Sequence, residues 1–453
     1  MEFGKQGGMK FLIQKIPEFS GNTLAYALNA VLSYLTTAAD YEFVSASFVQ
    51  SLFDMVSMHE QNLNAWRNCM AIIVLLLSFA EMNDIRILGP IEQLRADEEL
   101  FRQILKYLKI GEVALLADCL RFFSLFSTTL SKLNVQYEKK FLKLLVKLGV
   151  NDLVLKRVLT GVRADWKDDL WLYQMSMIAG VNRSKSFNDT DKLKFKLTTI
   201  YHNAFPEAPS IEFNSPEWRL IGFQNNTPFT ELEAGELGVK VMFHLATAKH
   251  NKFKKMIEVQ QHRTDSQRYP LARVVFKLVN AFLTIFRLEE FEQYLASNRG
   301  ERRMETPTER IPTQPQTHVI SPVLFLPNAF TEMAMTAVES FDQIWLKRNL
   351  QSSDVDAIVA EVTKMLRDVL YVTKPTSFER FRKAILISDN DDVNAPIAEH
   401  STHEVVERRE EKTLADSMFK YYGTLLLDNI NGYLRNRTGR LQGPESVTTA
   451  TSD

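Results

Sequence analysis

His400 and His403 stand three positions apart with Glu404 beside them, a spacing that sets two imidazoles on one helix face and could hold a divalent metal. No third spaced ligand accompanies them, so the simpler reading is a solvated helix start. Asp168–Asp169 and Asp391–Asp392 each offer two carboxylates, but neighbours along a helix do not share a face, so neither is an acid–base couple by itself. Lys139, Lys143 and Lys147 recur at i, i+4 and i+8, with Phe141, Leu144, Leu145 and Leu148 on the other side. That pattern suits a helix lying on an anionic surface. It suits better an ordinary amphipathic helix, because the apolar side is needed to fill a core. Pro312 and Pro315 frame a PxxP able to dock an SH3 groove as polyproline II, although prolines so spaced are common in any proline-bearing loop.

Motifs that carry chemistry outright are missing from the sequence. There is no Walker A loop, no GxGxxG after a strand pattern, no HExxH, no GxSxG and no EF-hand loop. The expectation is a chain with no catalytic residue, no cofactor and no metal. With 54 basic against 55 acidic residues the formal net charge is −1, so no overall field draws in DNA or RNA. Cys69 and Cys119 lie far apart and form no CxxC, which excludes a zinc ribbon and a disulfide framework. The start, MEFGKQGGMKFLIQKI, lacks the apolar stretch of a signal peptide. The longest apolar run, Met70 to Ala80, falls short of the roughly 20 residues a bilayer span needs. The location expected is cytoplasmic.

The elements that would position these residues read as helices. The 453 residues include only 17 Gly and 15 Pro but 30 Phe, which points to long helices around an aromatic-rich core. Leu24, Ala27, Leu28, Val31, Leu32 and Leu35 recur at helical spacing behind Asn22, a capping residue. Phe48, Leu52, Phe53 and Val56 make a second stripe, and Leu63, Trp66, Met70, Ile73, Val74 and Leu77 a third. Long helices starting near 22, 62 and 111 repeat at about 40–50 residues, as in stacked hairpins of the HEAT or armadillo kind. A plain helical bundle is the alternative. Further helices are expected at 192–205, from Pro270, at 328–349, at 353–371 and at 404–434. The segment 302–327, with five prolines, reads as an extended surface loop. No strand alternation is convincing, so the fold class is all-α.

One segment resembles a known family. PEWRLIGFQNNTPFTELEAGELGVKVMF places Trp218, Gly222, Phe223, Pro228, Glu231, Gly235 and Leu237 in the order of the ELMO-domain signature, and YPLA, with Tyr269 and Pro270, resembles that family's second helical signature. SGNTLAYALNAVLSYL at 20–35 and the run from Phe341 to Leu386 look like further blocks of the engulfment and cell motility proteins, in the family's order. The resemblance implies armadillo-like helical repeats over 1–185, an ELMO domain over 186–373 and a helical extension with a disordered tail over 374–453. It implies a non-enzymatic adaptor of a DOCK-type exchange factor, acting through Rac on actin in phagocytosis of apoptotic cells and in cell migration. A Rho- or Arf-family GTPase on the repeats and recruitment to the plasma membrane go with that role.

Two departures from the family pattern bear on this. Short ELMO-domain proteins resemble GTPase-activating proteins for Arf-like GTPases, with an arginine just after the acidic-aromatic pair of the signature. Here Glu233 stands at that place, and a carboxylate repels the charge that develops on a transferring phosphoryl group. Arg219, Arg268 and Arg273 are the nearby alternatives for the activating reading. The second departure is at the ends, where the family's ubiquitin-like domain, PH domain and proline-rich tail are not recognised.

Overall fold

In the first half of the chain the helical stripes turn inward in step. A computed structural model describes residues 7–386, apart from 39–40, 59–61, 80–83, 111–112, 163, 184, 186–189, 209–210, 298–319 and 349. Every regular element among the described residues is helical, so the all-α expectation holds. Helix α1 spans Gly8–Lys15, α2 Gly21–Ala38, α3 Ala46–Ser57, α4 Leu63–Phe79, α5 Ile85–Leu94, α6 Glu98–Ile110, α7 Val113–Leu133, α8 Val135–Lys147 and α9 Val150–Thr160. Caps fall where side chains can accept orphan amides: the Ser45 hydroxyl takes the Phe48 N–H at 3.2 Å and Asn134 takes that of Gln136 at 2.8 Å. Helix α4 packs against α2, α3 and α7. The abundant phenylalanine gathers between α3, α6, α7 and α8. Phe126 lies 5.0 Å from Phe141, 5.3 Å from Phe122 and 5.5 Å from Phe101, centroid to centroid.

Helix α10, Lys167–Arg183, serves two cores. Leu170 and Tyr173 belong to the first, while Leu172, Met175, Ile178 and Ala179 belong to a second that runs on to Ile385. The second core is built from α11 Thr190–Ala204, α12 Glu217–Ile221, α13 Gly235–Ala248, α14 His250–Gln261, α15 Leu271–Thr284, α16 Leu288–Ser297, α17 Ala329–Arg348, α18 Val355–Asp368 and α19 Phe378–Ile385. Helix α13 sits among α11, α14, α15 and α17.

The end of the proline-bearing segment departs from the surface loop expected. Residues 320–326 are described, and Pro322–Phe325 form a 3-10 turn that is buried throughout. The reason is the apolar run VLFL: Val323 and Leu324 join the second core, and Phe325 enters the first, its ring 6.3 Å from Tyr173 and nearly parallel to it. The buried Gln174 amide donates to the Ile320 carbonyl at 3.1 Å and accepts the Ile320 N–H at 2.9 Å, which satisfies an otherwise orphaned backbone. Ion pairs join α10 to its neighbours. Arg121 on α7 grips Asp169 at 2.7 and 3.1 Å, and Arg183 reaches the buried carboxylate of Glu138 on α8 at 2.8 Å. Gly180 makes that approach possible, because a Cβ there would lie 2.3 Å from Leu142 Cδ1.

Candidate functional site

Each signature residue has a structural task. Trp218 is wholly buried, and its indole N–H donates to the Glu212 carbonyl at 2.9 Å. Gly222 ends the short helix α12 at φ +100°, and its Cα passes so near the YPLA segment that a Cβ would fall 2.1 Å from the Leu271 nitrogen. Phe223 then turns back into the core against Trp218. Pro228, itself buried, opens a 3-10 turn, after which the Glu231 carboxylate accepts the backbone N–H groups of Gln224 and Asn225. The acidic residue of the signature thus staples a loop. Gly235, at φ +59°, brings the start of α13 against the carbonyl of Lys185, which accepts the Glu236 N–H at 2.8 Å. Leu237 is buried beyond it. Tyr269 donates its hydroxyl to Asp342 Oδ1 at 2.6 Å and its N–H to Gln260 Oε1 at 3.1 Å, while Pro270 caps α15.

Burial pushes the Asp342 carboxyl above its ordinary range, against the Tyr269 hydrogen bond and the charges of Arg263 and Lys255 that pull it down. Burial, with Asp342 beside it, likewise raises the Tyr269 hydroxyl well above its usual value. Beside them lies a surface notch of about 180 Å³ lined by Arg219, Leu220, Gln260, Gln261, Arg268, Tyr269 and Pro270.

The structure brings two of the three arginines together at that notch. Arg268 is committed: it donates to the carbonyls of Gln260 at 2.8 Å and Gln261 at 3.0 Å and pairs with Asp265 at 2.9 Å, closing the end of α14. Arg219 is exposed and holds the Gln224 carbonyl at 3.0 Å. Arg273 is elsewhere, close enough to Asp356 to act on its charge. Glu233 is exposed in the turn before α13.

The lysines of α8 have diverged. Lys147 pairs with Glu98 of α6 at 2.8 Å, Lys139 with Glu236 of α13 at 3.4 Å, and Lys143 is exposed. Pro312, Pro315, His400 and His403 lie outside the described residues. Among the described residues no group of three or more His, Cys, Asp or Glu side chains could hold a metal ion, and no helix is long and apolar enough to cross a membrane. The sequence missed the structural role of Glu231 and the pairing of Lys139 with Glu236. The signal for the first was local, an acidic residue just after a Thr-Pro turn.

Fold and site together define a helical protein in which an armadillo-like repeat is fused to a second helical domain whose signature residues hold its loops in place. Two family models match it. The ELMO armadillo-like helical domain matches residues 1–159, and the ELMO/CED-12 family matches residues 182–359. The chain belongs to the ELMO family. It is similar to the ELMO domain-containing protein A of Dictyostelium discoideum, 24% identical over 420 residues that make up 84% of this chain and 41% of that protein. The chain therefore spans about two fifths of the length of that relative.

Proposed function

We propose that this chain is a non-enzymatic adaptor that binds a DOCK-type exchange factor and raises the loading of Rac with GTP, in the service of actin-driven engulfment and migration. The observation that supports it most is the make-up of the signature. Every residue that marks the ELMO domain is engaged in holding the fold, and the position where an activating arginine is expected carries the exposed Glu233. A surface so built can dock a partner, and the carboxylate of Glu233 would repel the charge that develops in phosphoryl transfer. The armadillo-like repeats supply a second docking face, suited to a Rho- or Arf-family GTPase. The protein acts in the cytoplasm and is drawn to the plasma membrane through its partners.

The test is co-expression with a DOCK-type factor, followed by capture of the chain and measurement of Rac-GTP. Co-capture with raised Rac-GTP is expected. No association and no change in Rac loading would reject the adaptor reading. The activating alternative has one point in its favour, the exposed Arg219 at the notch. It requires that the purified chain accelerate single-turnover GTP hydrolysis on an Arf-like GTPase, and an R219A variant would then lose that acceleration.

A further inference from the structure

Helices α8, α11 and α13 bring four lysines to one place with one carboxylate between them. Glu236 of α13 accepts Lys196 of α11 at 2.9 Å and Lys139 of α8 at 3.4 Å. One turn further along α13 stands Lys240, and one turn further along α8 stands Lys143, each on the same helix face as its predecessor. Neither Lys143 nor Lys240 has a carboxylate partner among the described residues. Among the described residues, four positive charges therefore meet one carboxylate at the seam between the armadillo-like repeats and the ELMO domain.

The crowding is felt electrostatically. Burial, then the charges of Lys196, Lys143 and Lys139, hold the Lys240 ammonium below its ordinary pKa, with Glu236 the one group opposing them. His244, the next turn of α13, is lowered by burial and then by Lys240 and Lys196, against the pull of Glu332 on α17. Like charges at such spacing destabilise a helix pair unless something neutralises them.

We propose that Lys139, Lys143, Lys196 and Lys240 form a binding site for a multivalent phosphate, of the kind carried by an inositol polyphosphate or a phosphoinositide headgroup. The ammonium groups converge from three helices, so they act as separate point charges that can each meet a different phosphate oxygen. The site differs from a stripe along α8 alone, because Lys147 is turned away to Glu98. It is independent of exchange-factor binding and stands or falls separately from the adaptor reading.

The probes are soluble inositol hexakisphosphate and phosphatidylcholine vesicles with and without phosphatidylinositol 4,5-bisphosphate, each offered to the full chain. Binding is expected in at least one arm and should weaken as salt is raised, since the contacts are ionic. The double variant K143A/K240A should weaken it about 25-fold, a factor of about five per lysine. That variant removes repulsion and breaks no ion pair, so its melting temperature should match or exceed the parent's. Glu236→Gln should tighten binding, because it removes the competing carboxylate. Loss in the soluble arm assigns a free polyphosphate and loss confined to vesicles assigns a lipid headgroup, both in support. No binding in either arm, or binding that K143A/K240A leaves unchanged, overturns the proposal.

Discussion

The two halves of the described chain are held together by different physics. The armadillo-like half is a packing problem: Phe53, Phe101, Phe122, Phe126 and Phe141 interlock, and the buried indole N–H of Trp66 has no hydrogen-bond partner among the described residues. The ELMO half is a wiring problem. Trp218 donates to Glu212, Trp345 to the Gln267 carbonyl at 3.0 Å, and Tyr269 to Asp342. Repeated hairpins meet their neighbours through regular apolar faces, so shape suffices. Irregular connections such as those at 205–234 and 262–270 leave many backbone groups to satisfy, so buried aromatics there carry polar handles.

The contrast can be broken most strongly in the first core. Phe126→Ala should cost about 3–5 kcal/mol in chemical denaturation, since the surrounding rings cannot close the space. A pair of glycines comes next. Gly222→Ala should cost about 3 kcal/mol, combining left-handed strain with overpacking against the Leu271 backbone. Gly149→Ala, at φ +75° with its nearest neighbour 3.7 Å away, should cost about 1 kcal/mol from strain alone. A pair of indoles sharpens the distinction further. Trp345→Phe removes the shorter of two hydrogen bonds to the Gln267 carbonyl, leaving that from Arg263 Nη1 at 3.4 Å, and should cost about 1 kcal/mol beyond any change in packing, whereas Trp66→Phe removes an unsatisfied donor and should carry no such penalty.

The smallest effect is in the pH profile. Asp342 in the second core and Asp118 in the first are both raised by burial, against Arg121 and Arg67 in the case of Asp118. Each folded carboxyl therefore holds its proton more tightly than the unfolded chain does. The stability this confers is complete below the unfolded carboxyl range and is lost as pH rises through the raised folded pKa. Relative to the parent, D342N and D118N should gain melting temperature as pH rises above the ordinary carboxyl range of about 4, by about 2–4 °C for each kcal/mol involved. A parallel profile for variant and parent would contradict the assignment.

Much of the first half was legible because period and burial coincide there. Leu28, Val31 and Leu35 recur at helical spacing and have no exposed surface, as do Leu52 and Val56 of the next stripe. What escaped depends on contacts across long stretches of chain. Residues 320–326 look like loop because prolines surround them, yet their burial rests on Gln174, 146 positions earlier. The stripe of Lys139, Lys143 and Lys147 shows a polar face but not what that face meets, which for Lys139 is Glu236, 97 positions on. The signature itself was readable as a resemblance, while its roles were not: that Gly222 serves a contact with Leu271 follows only from the folded chain.

The proposed adaptor role requires that this chain bind an exchange factor directly. Its most direct test is sedimentation velocity of the purified chain mixed with a purified DOCK-type exchange factor. A faster-sedimenting complex that forms without nucleotide turnover is expected. Two species sedimenting independently at every concentration would contradict it.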